Sequence, residues 1–184
     1  MTNGVLYGTT SSGGAYDQGS VFSVDAKLPP FVSLVISRAT VGTSVGILGQ
    51  GFSSASAVLF NGVAASHKIV SDTYLTAIVP ANGRNGTVSV KTASGVLNSN
   101  TPFDVVPVEA SFTPLQGTVG TLVTIKGGGF LGTRQVTFGG VKASAFKVVS
   151  GSVITATVPT GAKTGRIVVT TAGGTATAGI FTVN

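Results

Sequence analysis

Apolar side chains recur at every second position through short stretches of the chain, with small or polar residues between them. Val123 and Ile125, Val136 and Phe138, and Ile167 and Val169 are such pairs. A period of two sends alternate side chains to opposite faces of an extended strand, so each stretch predicts a strand with one buried face. Asn61-Gly62 and Gly139-Gly140 stand between such runs, and these dipeptides readily take the positive φ angles of two-residue hairpin turns. Several short strands in a unit of fewer than ~80 residues predict an antiparallel sandwich, because two half-apolar sheets must bury their inner faces against each other.

The pattern occurs twice. Val41-Gly42-Thr43-Ser44-Val45-Gly46-Ile47-Leu48-Gly49-Gln50-Gly51-Phe52 returns 78 residues later as Val119-Gly120-Thr121-Leu122-Val123-Thr124-Ile125-Lys126-Gly127-Gly128-Gly129-Phe130. The match continues through Val58-Leu59-Phe60-Asn61-Gly62-Val63 against Val136-Thr137-Phe138-Gly139-Gly140-Val141. After one added residue, Leu75-Thr76-Ala77-Ile78-Val79-Pro80 meets Ile154-Thr155-Ala156-Thr157-Val158-Pro159, and Gly86 to Val90 meets Gly165 to Val169. A repeat of this length marks one structural unit used twice.

The run Gly-Thr-x-Val-x-Ile-x-Gly-x-Gly-Phe at 120–130, with its counterpart at 42–52, resembles the opening strand and turn of the IPT/TIG family. The Phe-Gly-Gly-Val hairpin at 138–141, the strand ending in Val158-Pro159, and the closing Phe181-Thr182-Val183 are similar to later landmarks of that family. The resemblance implies an all-β chain of two tandem immunoglobulin-like β-sandwiches of the early set, with the first at 31–106 and the second at 107–184. The first copy departs at its start, with Ile36 and Ala39 where the second has Pro114 and Gly117, so its first turn is expected to differ. Residues 1–27 belong to neither copy. Their Leu6-Tyr7-Gly8-Thr9-Thr10, Gly13-Gly14 and Gly19-Ser20-Val21-Phe22 resemble one unit of a tandem repeat of bacterial surface proteins, and a lone unit of that kind cannot bury its apolar face. Residues 28–30 read with Lys27 as a stiff, proline-fixed linker. The join at Val105-Val106-Pro107-Val108-Glu109 is short, which predicts an elongated pair with limited motion between the modules.

Hydrophobic residues make up 42% of the chain and charged residues 9%, which excludes the composition of a disordered segment. The absence of cysteine excludes disulfides and thiolate metal sites. No apolar run approaches the ~20 residues of a membrane helix, so membrane insertion is not expected. The N-terminus lacks the basic, apolar, small-residue order of a secretory signal. It therefore reads as the start of an unexported chain or of an excised segment.

The net charge of +6 attracts polyanions nonspecifically. It is concentrated in the second half, where Lys126, Arg134, Lys142, Lys147, Lys163 and Arg166 face only Glu109. Arg134, Lys142, Lys147, Lys163 and Arg166 are the candidate interaction residues.

Catalysis needs a positioned base, nucleophile or metal, and no matched set stands out. His67 is the only histidine and its counterpart is Phe146, which favours a strand-edge or surface histidine. Asp72, between Ser71 and Thr73, fits a turn in which a short acid bonds its own backbone. The acids are scattered, with no Asp-x-Asp, against the clustered oxygens that calcium requires. Gly127-Gly128-Gly129 lacks the Lys-Ser/Thr of a phosphate loop and fits a strand-end turn or bulge. Tyr74, aligned with Val153, reads as a core or edge filler rather than a platform for a sugar ring. Phe52 with Phe130 and Phe60 with Phe138 read as core strand positions. Asn85-Gly86-Thr87 satisfies a glycosylation sequon, yet Asn-Gly also makes a turn between strands, and the turn is the expectation.

These readings predict no cofactor and no catalysis. By the family resemblance, the chain belongs to a larger bacterial cell-surface or secreted protein, where it is expected to act as a spacer and an adhesion or protein-interaction surface, with a protein or surface-polysaccharide partner. Two alternatives follow from the same resemblance and the charge. One is a polyanion- or DNA-binding module, disfavoured by the lack of a helix or basic arm to read a groove. The other is an accessory module of a polysaccharide-degrading enzyme, disfavoured by the scarcity of exposed aromatics.

Overall fold

A computed structural model describes residues 5–25 and 30–184. The expected linker falls largely on 26–29 and lies outside the described residues. The first described segment is a single antiparallel hairpin of β1 (Val5–Thr9) and β2 (Val21–Asp25). Two strands alone have no second layer to cover them, and Leu6, Tyr7, Val21, Phe22 and Val24 are indeed exposed.

The remaining strands form two immunoglobulin-like sandwiches in tandem. The first contains β3 (Val32–Leu34), β4 (Arg38–Thr40), β5 (Ser44–Gly49), β6 (Ala57–Phe60), β7 (Val63–Ala65), β8 (His67–Ser71), β9 (Tyr74–Ile78), β10 (Val88–Thr92), β11 (Gly95–Asn98) and β12 (Asp104–Val106). Its two main sheets run β3-β5-β9-β8 and β11-β10-β6-β7. The second contains β13 (Val108–Thr113), β14 (Gln116–Gly117), β15 (Leu122–Gly128), β16 (Thr133–Phe138), β17 (Val141–Lys142), β18 (Ala145–Ser150), β19 (Val153–Thr157), β20 (Gly165–Thr171) and β21 (Gly174–Val183). Its sheets run β13-β15-β19-β18 and β14-β21-β20-β16-β17. In both copies the opening strand leaves the first sheet and pairs in parallel with the closing strand of the other side, β4 with β12 and β14 with β21. The expected difference at the first turn leaves this route unchanged.

The alternation is realised in register. Val123 and Ile125 of β15 lie opposite Ala156 and Ile154 of β19, while Val136 and Phe138 of β16 lie opposite Val169 and Ile167 of β20. All eight are buried. Two separate cores result, one running from Val32 to Val105 and the other from Phe112 to Phe181. Phe60 meets Phe103 edge to face at 5.0 Å, and Phe138 meets Phe181 in the same manner at 5.4 Å. Asn61 and Gly62 (φ 45° and 86°) close the β6–β7 hairpin as expected, and Gly139 and Gly140 (φ 54° and 88°) close β16–β17.

Phe52 and Phe130 are buried but do not sit on strands. Phe52 begins a one-turn 3-10 helix (Phe52–Ser54), and Phe130 follows the end of β15. Phe31 and Phe146 are exposed, so not every phenylalanine belongs to a core.

Candidate functional site

The five basic candidates are all exposed, and three share one end of the second module. Lys142 lies on β17 opposite Thr137, Arg166 accepts the Gly139 N–H through its carbonyl (3.0 Å), and Lys163 lies in the loop against that same turn. The Arg166 guanidinium is partly engaged, donating to Ala178 O at 3.2 Å. Arg134 sits at the opposite end of β16, at a bulge, and Lys147 is on the edge strand β18 of the other sheet. The fold therefore gathers Lys142, Lys163 and Arg166 and leaves Arg134 and Lys147 apart.

His67 lies on edge strand β8 opposite Ala77, in a shallow groove with Ser44, Ser66, Lys68, Thr76 and Ile78. Without a carboxylate in that lining, nothing orients the imidazole as a base. Tyr74 is half-buried on β9, next to Gly46 of β5, as an edge filler. Among the described residues no group of three His, Cys, Asp or Glu is placed to hold a metal ion, and no helix is long and apolar enough to cross a membrane.

Asp72 does sit at a turn, but its carboxylate does not bond its own backbone. It reaches across to the loop after β5, where Oδ1 accepts from Ser53 Oγ (2.7 Å) and Ser53 N (3.1 Å), and Oδ2 accepts from Gly51 N (3.2 Å). The Ser53 hydroxyl, then the Ser53 and Gly51 N–H groups, hold its pKa below the ordinary value, with desolvation opposing them. Hydrogen bonds to the charged form favour that form.

Asn85 has more to do than turn the chain. Its Nδ2 donates to Asp104 Oδ1 and its Oδ1 accepts from Val105 N, each at 2.9 Å. Both ends of the amide are thus committed to β12, immediately before the join.

The residues around the join form a seam between the modules. Arg38 Nη2 donates to Gly173 O (3.2 Å), Gly151 N donates to Asn82 Oδ1 (3.0 Å), and Gly129 N donates to Ala81 O (3.2 Å). Val41 packs against Gly128. Beside the seam is a cleft of about 230 Å³, lined by Asn61, Arg84 and Asn85 from one module and Leu131, Gly132 and Ala172 from the other. Sequence reasoning missed these residues, because contacts of Arg38 with Gly173 or Asn82 with Gly151 carry no periodicity. The available signals were the shortness of the join and the glycines of the second copy where the first carries side chains.

The model of the IPT/TIG domain matches the chain twice, at residues 29–105 and 107–183, which together exceed half of its length. The chain belongs to the IPT/TIG family. Both IPT/TIG matches coincide with one of the two cores and its surrounding sheets. No curated protein matches the sequence significantly. Among solved structures, these IPT/TIG modules are similar to the surface glycan-binding protein PbSGBP-B from Prevotella bryantii, at 20% identity and a TM-score of 0.50, over 82% of this chain and 41% of that one. They are also similar to SGBP-B from a complex xyloglucan utilization locus in Bacteroides uniformis, at 22% identity and a TM-score of 0.40, over 84% of this chain and 50% of that one. These are likenesses of fold, and the chain spans half or less of the length of either protein.

Proposed function

We propose that these residues form a non-catalytic spacer in a larger bacterial cell-surface or secreted protein, offering lateral surface to a protein or polysaccharide partner. The observation that carries the reading is the seam. A spacer transmits position only if its joints resist bending, and here side-chain and backbone bonds from Arg38, Ala81 and Asn82 brace a join that is already short. Linkers without such contacts leave domains free to reorient. The surface location is supported by the likeness of fold to PbSGBP-B, a surface glycan-binding protein of Prevotella bryantii.

Antibody raised against this chain tests the location. It should label intact cells of the producing bacterium or recover the protein from the medium. Signal obtained only after lysis would overturn the surface reading.

A further inference from the structure

The hydrogen bonds of the two copies differ at one pole of each module. Phe52 N donates to Asp72 O in the first, and Phe130 N donates to Gly151 O in the second, so Asp72 and Gly151 occupy the same place. Gly51 and Gly129, each preceding its phenylalanine, are likewise equivalent. In the first module the Gly51 N–H is satisfied internally, by the Asp72 carboxylate. In the second no such carboxylate exists, and the Gly129 N–H goes to Ala81 O while the Gly151 N–H goes to Asn82 Oδ1. The acceptor that Gly51 draws from its own module's aspartate reaches Gly129 from the neighbouring module, which also supplies one for the Gly151 N–H.

Two further positions follow the same rule. Gln50 corresponds to Gly128, and Ser94, in the β10–β11 turn, corresponds to Gly173, in the β20–β21 turn. A Cβ at 128 would lie 3.0 Å from Val41, one at 151 would lie 2.5 Å from Asn82 Oδ1, and one at 173 would run into the carbonyl oxygen of Val105. Gly128, Gly151 and Gly173 are all buried. All three lack a side chain where the first module carries one, and in all three the vacated space is filled by the first module.

We propose that Gly128, Gly129, Gly151 and Gly173 form a socket for the tail of a preceding module, and that Asp72, Gln50 and Ser94 close the matching pole of the first. The joint is therefore directional: the occupant of the socket is the end of an IPT/TIG module bearing Val41, Ala81-Asn82 and Val105. Removing three side chains allows backbone to approach backbone, which a β-carbon would prevent, and buried N–H groups then require acceptors from the incoming module. The inference concerns the joint alone and does not depend on where the protein resides.

Residual dipolar couplings on the labelled full chain test it. Couplings from the two modules of the unaltered protein should fit a single alignment tensor. Gly128→Gln, Gly151→Asp and Gly173→Ser together give the second module the pole of the first. That variant should keep the core amide shifts around Phe138 and Phe181 while its couplings demand two tensors. Should the triple variant unfold the second module, Arg38→Ala with Asn82→Ala, which alters only the first, decides the matter: the alignment magnitudes of the modules should diverge. Two tensors in the unaltered chain would overturn the socket, as would one common tensor in a folded triple variant or, where that variant unfolds, in the double one.

Discussion

Truncating Phe60 or Phe138 to alanine probes the equivalence of the two cores. Each ring is fully buried and paired edge to face with a second phenylalanine, Phe103 or Phe181. Loss of a buried phenylalanine side chain costs about 3–5 kcal/mol through lost burial and the cavity left behind. The aromatic pairing contributes about 0.5–1.5 kcal/mol within that. At ~0.05–0.15 kcal/mol per residue, a module of this size has roughly 4–11 kcal/mol in total. Each truncation thus removes a large share of its own module's stability. Urea titration followed by amide signals from each module reads the two separately, and Phe60→Ala should lower the midpoint of the first, Phe138→Ala that of the second. Phe60→Leu, which keeps much of the volume, should cost less than Phe60→Ala. A loss below about 1 kcal/mol for either alanine variant would refute the assignment of that strand face as the load of the core.

Asn85→Ala removes the acceptor for the part-buried Val105 N–H and should cost about 1–3 kcal/mol by the same titration. Gly140→Ala places a Cβ at φ 88° with no contact to relieve it and should cost about 1–2 kcal/mol. Because hydrogen bonds lower the Asp72 pKa in the folded state, its contribution is present above the unfolded carboxyl value and is lost as pH falls through the folded one. Carboxyl NMR should show Asp72 titrating below an ordinary aspartate, and Asp72→Asn should flatten that part of the acid limb of the first module's stability. Charge reversal at Lys142 and Lys147 should weaken heparin retention without affecting folding, and retention in the unaltered protein should fall as salt rises. Sequence-selective DNA binding that persists near physiological salt would contradict diffuse attraction.

The sandwiches were legible because burial imposes a period on the sequence. Val123 and Ile125 announce an inward face whatever they pack against, and Asn61-Gly62 announces its turn through backbone sterics alone. The phenylalanines show the limit of that logic: Phe60 and Phe138 alternate with their neighbours, whereas Phe52 and Phe130 are buried from loops and follow no strand period. Asp72 and Asn85 were placed correctly at bends, but their partners lie 19 to 21 residues away in sequence, a distance that local turn chemistry does not address. The seam left only negative marks, glycines where the other copy has side chains, and such marks acquire meaning only when the neighbouring module is in view. The basic residues were legible as an excess but not as a surface, since the sheet topology decides that Lys142 and Arg166 share one sheet while Lys147 lies on the other.

The proposed bracing at the join holds the two modules in one fixed relation. The natural absence of cysteine allows spin labels to be introduced cleanly by Lys68→Cys and Lys147→Cys, at two exposed strand positions, one in each module. Pulsed dipolar spectroscopy on the full chain should give one narrow distance distribution, little broader than label rotamers alone produce. A broad or multi-peaked distribution would contradict the account.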